Sequence, residues 1–267
     1  MISIVTTYYN RRKVFENTLK TIKKSTIKDF EFIVVDDASD PSQRLESLKS
    51  QYPFLKIIRI EPDDKWYVNP CVPFNIGLRE AKGEKIILQN PECLHVHDIL
   101  SYVDENLDDS MYITFSTYGL DEKTNKSVSF HLKNNSLEDF IRKQPQRPIY
   151  GEVSLGWYNH SLHRPGHYHF CAALTRDNLR KLNGFDERYA FGVGFDDDEF
   201  LHRIKTLGLK PIIVGNKSAI HQYHKTVYWV KPNSKHLSEK NKSLLQTVTF
   251  RENNYHAPNI TELWDGN

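Results

Sequence analysis

The sequence predicts an α/β fold, with a mixed, mainly parallel central sheet flanked by helices and a C-terminal helical extension. Two observations carry that expectation: short apolar runs alternate with segments of helical spacing, and glycine or polar clusters separate them. Residues 2–6 form the first strand, and Val14, Thr18, Leu19 and Ile22 then share one helical face. A second strand covers 30–35, Leu45 and Leu48 fall on a following helix, and 55–60 is a third strand. Residues 74–81 are helical, and Gly83 breaks the chain before a strand over 85–88. Such β-α-β-α alternation calls for parallel strands covered by helices. Farther on, 111–118 and 168–174 read as strands, 121–127 as a turn-rich hairpin tip, and 136–143 and 177–182 as helices. A glycine-punctuated loop over 189–194 leads into a helix burying Phe200, Ile204 and Leu207. The expected organisation is one domain in two halves (1–110 and 111–224), followed by an extension (225–267). The extension holds Trp229, a helical pattern over 237–248 and the tail Leu263-Trp264-Asp265-Gly266-Asn267.

Bulk properties narrow the function. Lys plus Arg number 36 against 34 Asp plus Glu, a net charge of +2, which argues against a dominant nucleic-acid-binding surface. No apolar run reaches the roughly 20 residues that span a bilayer, and residues 1–7 lack the pattern of a signal peptide. Cys71, Cys93 and Cys171 are odd in number and form no Cys-x-x-Cys pair, so free thiols in a reducing cytoplasm are expected.

Ligands of parallel sheets sit beyond the carboxyl ends of the strands. Three strands here end in polar clusters that converge on one rim: Thr6-Thr7-Tyr8-Tyr9-Asn10, Asp36-Asp37-Ala38-Ser39 and Gln89-Asn90-Pro91-Glu92. Neither a Gly-x-Gly-x-x-Gly turn nor a Walker-type loop is present. Tyr9 instead offers a ring for a base, and Asp37 a carboxylate for a base or ribose. The Asp36-Asp37 pair also suits a helix cap. The densest chemistry is Asp196-Asp197-Asp198-Glu199, four acids on the first turn of a helix. Adjacent carboxylates repel, and a helix N-terminus tolerates them. One of them there suits a general base. Trp157, in Gly156-Trp157-Tyr158-Asn159-His160, is either a sugar-stacking ring or a core residue. His160, His163, His167 and His169 lack the Cys partners of a zinc site and are expected to line an acceptor groove.

Over residues 1–224, these segments resemble the family 2 glycosyltransferases with the GT-A (Rossmann-like) fold. The opening Ile2–Asn10 segment, Phe30–Ser39, Asn75-Ile76-Gly77, Ala81-Lys82-Gly83-Glu84, Asn183-Gly184-Phe185-Asp186-Glu187 and the acidic run recur in the family's order. The resemblance implies Thr7, Tyr9 and Asp37, with Asp36 and Asn75, as contacts to a nucleotide sugar, a UDP-sugar above all. It places Glu92 where the metal-binding aspartate of the family's Asp-x-Asp stands, the other acid being absent. It also puts a histidine after the last strand, His221 first and His224 as alternate, so that Glu92 and His221 would hold Mn²⁺ or Mg²⁺. His95, close after Glu92, is expected in a surface or capping role rather than at the metal site. Counting back six from Arg203 gives Asp197 as the base, with Glu199 as the second acid and Asp196 or Asp198 orienting the acceptor. The run is also similar to the Glu-Asp-Asp-Asp segment of β-1,4-galactosyltransferases. The implied activity is inverting transfer to a hydroxyl of a glycan or other acceptor, with Asp198 and Trp157 on the acceptor side. The contrasting reading is a non-catalytic nucleotide-sugar or glycan-binding module with a degenerate metal motif.

Overall fold

The alternation of β1 (Ile2–Tyr8) sorts its side chains between two cores. Ile2 and Ile4 pack with Phe15 and Leu19 of α1 (Arg12–Ile22), and Val5 faces the other way, with Val35 and Leu78. Both faces are therefore apolar, which is the pattern of an interior parallel strand. The computed structural model describes residues 1–150, 155–225, 233–248 and 254–264. Trp229 and the tail residues Asp265, Gly266 and Asn267 lie outside the described residues.

β1 lies between β2 (Phe30–Asp37) and β4 (Lys85–Gln89), parallel to both, and β3 (Leu55–Ile60) adds in parallel beyond β2. On the other side β4 pairs antiparallel with β8 (Cys171–Thr175), and β8 antiparallel with β6 (Met111–Gly119). β9 (Lys210–His221) runs parallel to β6 and antiparallel to the short β5 (Cys93–His95). β7 (Gly156–Asn159) pairs with β6 off this path. One sheet thus runs through both halves of the chain, in the order β3-β2-β1-β4-β8-β6-β9-β5.

α2 (Cys71–Arg79) packs directly on β1 and β2. A Cβ on its Gly77 would stand 2.7 Å from Val5 Cγ1, so glycine permits the close approach of helix and sheet. α3 (Ile99–Asn106) is capped by Asp98, which accepts from Ser101 N–H. α7 (Arg176–Leu182) ends at Asn183 in the left-handed conformation, and α8 (Asp196–Thr206) begins after Gly194 and Phe195, both left-handed. The extension supplies α9 (Ser234–Val248), which braces the loop ahead of α8. Asn241 donates to the carbonyls of Tyr189 and Gly194, and Leu237 O accepts from Val193 N–H.

Three local expectations are corrected. Leu45 and Leu48 are buried, but they lie around two 3₁₀ turns, Pro41–Gln43 and Glu46–Leu48, which the extended backbone of Arg44 (ψ 145°) keeps from joining into one helix. Residues 121–127 are not a hairpin tip: Asp121 accepts from Thr124 N–H and caps the short helix α4 (Glu122–Asn125). β8 starts at Cys171 rather than 168, because His167 takes a left-handed turn (φ 57°). His167 and His169 therefore do not share a strand face. α5 (Val128–Lys133) and α6 (Leu137–Arg142) close a third apolar cluster with Tyr118 and Trp157.

Candidate active site

The carboxyl ends of β1, β2 and β4 open on a cleft of about 370 Å³. Thr7, Tyr9 and Asp37 line one part of it, Glu92, His221 and His224 another, and Asp196, Asp197 and His169 a third. Asp37 is held from both oxygens: Tyr67 donates its hydroxyl to Oδ1 (2.7 Å) and Lys65 its ammonium to Oδ2 (2.6 Å). The Lys65 ammonium also lies 5.3 Å from the centre of the Tyr9 ring. This corner offers one ring, one carboxylate and one cation to a polar planar ligand.

Asp36 and Asn75 stand behind that wall. Asp36 is fully buried, accepts from Arg59 (2.8 Å) and Ser39 N–H, and ties the turn after β2 to β3. Asn75 donates to Phe185 O and accepts from Phe185 N–H, fastening α2 to the segment after α7. Both are enclosed because their polar groups are satisfied by protein.

The second corner centres on Glu92, 2% exposed. His221 Nε2 lies 3.0 Å and His224 Nε2 3.3 Å from its Oε1, while Arg11 donates to its Oε2 at 2.7 Å. Burial opposes ionisation of Glu92, yet the Arg11 guanidinium and the two imidazoles overcome it and hold the carboxyl well below the usual carboxylate range. Burial lowers His221 from its ordinary value despite Glu92, which eases the loss of the proton that metal ligation requires. The three ligand atoms lie within 4.8 Å of one another, and one carboxylate oxygen with two imidazole nitrogens is a donor set that fits Mn²⁺. The structure brings in both histidines, because a three-residue step past the end of β9 returns the chain to the same carboxylate. His95 belongs elsewhere: it is buried against Gln89 Oε1 (2.8 Å), and burial holds it down to about 4.

The acidic run divides by helix geometry. Glu199 and Arg203, one turn apart, form a buried pair in which Arg203 Nε and Nη2 donate to the two carboxylate oxygens at 2.6 and 2.9 Å. Arg203 also donates to the carbonyls of Leu182 and Gly184. Asp198 accepts from the Tyr168 hydroxyl at 3.2 Å and lies outside the cleft lining; burial, then the Asp197 charge, raises it. Asp197 keeps 37% exposure, lines the cleft and stands 3.0 Å from His169 Nδ1. Asp196 is enclosed and accepts from Asn69 Nδ2 at 2.9 Å.

Burial, followed by the Asp197 charge, pushes Asp196 from 3.8 up to about 7. The folded state thus holds this proton more tightly than the unfolded chain. Its contribution to stability is complete below about pH 4 and is lost as pH rises towards 7. Asp196→Asn, which keeps an oxygen for Asn69, is therefore expected to stabilise the protein at pH 8, by roughly 2–4 kcal/mol, and to change little at pH 4. Urea unfolding at both pH values checks this, and an equal shift at the two would refute it.

Trp157 is placed away from the cleft. It is 6% exposed, packs perpendicular to Tyr118 and donates its indole N–H to Gln146. Of that aromatic segment, Tyr158 is the residue that lines the cleft. His160 and His163 stay beside Trp157, and among the described residues the histidines around it form no metal-ligating group. Sequence reasoning missed Arg11, Lys65 and Tyr67, and it gave His169 no partner. The available signals were the Arg11-Arg12 pair after the first polar turn and Lys65-Trp66-Tyr67 following Asp63-Asp64.

Comparison with known proteins accords with this geometry. The profile of glycosyl transferase family 2 matches residues 3–179, and that described as the N-terminal domain of galactosyltransferase matches residues 161–226. Human β-1,4-galactosyltransferase 3 is 26% identical over 136 residues, which is 51% of this chain and 25% of that protein; the cattle protein matches equally. The chain thus spans about a quarter of the length of these curated relatives. Among solved structures, a mannosyltransferase from Pyrobaculum calidifontis in complex with GDP-Man and Mn²⁺ aligns with a TM-score of 0.54 and 19% identity, covering 85% of this chain and 58% of that one. S. aureus TarS with UDP-GlcNAc gives 0.58 and 16%, covering 85% and 59%. GalNAc-T7 with UDP, GalNAc and Mn²⁺ gives 0.59 and 15%, covering 93% and 48%. These likenesses establish the GT-A fold, and, with the family profile matched over more than half of this chain, the chain belongs to glycosyl transferase family 2.

Proposed function

We propose that the cleft is the active site of an inverting glycosyltransferase, which moves a sugar from a nucleotide-sugar donor, a UDP-sugar, to a hydroxyl of a glycan or other acceptor. The observation that carries this reading is the meeting of three groups in one cleft: Thr7, Tyr9 and Asp37; Glu92, His221 and His224; and the half-exposed Asp197. Thr7, Tyr9 and Asp37 bind the nucleoside, with Asp36 and Asn75 fixing the wall behind them. Asp197 takes the proton of the acceptor hydroxyl. The acceptor oxygen bonds to the anomeric carbon as the bond from that carbon to the diphosphate oxygen breaks, and the electron pair leaves with the nucleoside diphosphate. Glu92, His221 and His224 would hold Mn²⁺ or Mg²⁺, which supplies positive charge to offset that on the departing diphosphate. Asp198 and its Tyr168 partner shape the acceptor side, so that residues 1–110 serve the donor and 111–224 chiefly the acceptor. The ligands named for the structural neighbours, UDP-GlcNAc, GDP-Man, UDP and Mn²⁺, support this donor class and cation.

A second reading, a non-catalytic nucleotide-sugar or glycan-binding module, is favoured by one observation. Arg11 already neutralises the single carboxylate of the metal corner. Thermal melting with UDP, UDP-galactose and UDP-N-acetylglucosamine, each with and without Mn²⁺, separates the two together with a donor-hydrolysis assay. UDP is expected to raise the melting temperature, Mn²⁺ to add to that rise, and Glu92→Gln to remove the Mn²⁺ increment alone. Slow donor hydrolysis with water as acceptor supports the enzyme. UDP binding without turnover of any donor assigns the module, and no response to UDP removes both.

A further inference from the structure

We propose that His169 is the positioning residue of the Asp197 base, fixing its carboxylate through an Nδ1–H hydrogen bond and setting, by its own protonation, the pH above which that base works. This rests on the reading of Asp197 as the base. His169 is enclosed, at 6% exposure, in the cleft wall. Phe74 stands perpendicular to its ring at 5.3 Å and Phe185 is inclined at 62° at 5.0 Å, which fixes the imidazole plane. Its Nδ1 lies 3.0 Å from Asp197 Oδ1. The turn that carries it grips two of the four acids, since the adjoining Tyr168 donates to Asp198. That turn is made by the left-handed residue His167.

The chemistry follows from what each group can offer. An ionised carboxylate only accepts, so a neutral His169 must present Nδ1–H to it. Among the described residues Asp197 makes no other side-chain hydrogen bond, which leaves its second oxygen to take a proton from an acceptor. The charged groups facing His169 are Asp197 and Asp196, both from α8; α2 and the segment at Phe185 present aromatic rings. Burial opposes protonation of the imidazole, but the charge and hydrogen bond of Asp197, with Asp196 behind it, carry it above its ordinary value. Once protonated, the imidazolium places a full positive charge beside the carboxylate that receives the acceptor proton, which opposes that transfer. Turnover therefore falls as pH drops through the titration of His169, not that of an isolated carboxylate.

The test uses His169→Asn and His169→Phe beside Asp197→Asn, with UDP-galactose hydrolysis in Mn²⁺ followed from about pH 5 to 9. Asparagine retains an N–H near the Nδ1 position and does not titrate. His169→Phe is expected to lower kcat by about 10²-fold with little change in donor KM, the scale of a misplaced catalytic group. His169→Asn is expected to recover most of that loss and to move the acid limb of kcat down by at least about one pH unit. Wild-type kcat in His169→Phe, or an unmoved acid limb in His169→Asn, would overturn the proposal. If His169→Phe does not fold, the His169→Asn profile decides alone. Should the protein turn over no donor, an NMR titration of the His169 ring decides: its titration drops in Asp197→Asn if the two are paired, and an unmoved titration overturns the pairing. Full activity in Asp197→Asn would instead sink the base assignment itself, which distinguishes that failure from failure of the His169 role alone.

Discussion

Asp197→Asn is expected to lower donor turnover by about 10³-fold while UDP binding and folding stay at wild-type levels. General base catalysis contributes roughly 10²–10⁴-fold, and an amide cannot take the acceptor proton. The geometry separates this effect from binding. Asp197 is the acid of the run that combines cleft access with substantial exposure, and its partner is His169 rather than a residue assigned to the nucleotide. The amide oxygen of asparagine can still accept from His169 Nδ1–H, so the wall is not expected to reorganise. Donor hydrolysis and UDP titration on the same preparation check the split. Equal turnover in variant and wild type would remove Asp197 as the base.

The largest loss of stability is expected from Arg203→Met. It leaves the Glu199 carboxylate, 3% exposed, without its partner, and it strips donors from the carbonyls of Leu182 and Gly184. Breaking a buried pair from one side costs about 3–5 kcal/mol, because the remaining charge is uncompensated. Urea unfolding is expected to show that loss, and Glu199→Leu/Arg203→Met to recover part of it. A loss below about 1 kcal/mol would mean that water reaches Glu199 in the folded protein.

That pair also explains why the acidic run was legible only in part. Arg203 fixed the count to Asp197 through the family pattern, and Glu199 entered as the second acid. Tertiary packing gives Glu199 a different task, anchoring α8 to the turn after α7. Four neighbouring carboxylates look alike in a sequence. A helix points successive side chains about 100° apart, so the four meet different partners: Asn69, His169, Tyr168 and Arg203.

Elsewhere legibility follows the range of the forces involved. Apolar alternation along β1, β2 and β4 is local, and it foretold the sheet and the rim at its carboxyl ends. Trp157 was undecidable because its burial depends on Tyr118 and on α6, far from it along the chain. Asn75 marked a motif, but its partners lie about 110 residues on, in Phe185, and they make it a fastener behind the cleft wall.

The sequence by itself determined the α/β alternation, the converging polar strand ends and a crowded acidic helix start, because each depends on near neighbours in the chain. Only the tertiary structure decided which acid of the run is both exposed and in the cleft, that His169 stands against it, and that His221 and His224 share Glu92 with Arg11. Those assignments come from long-range contacts that close when β8 and β9 join the sheet, and from the burial and charge that such contacts impose.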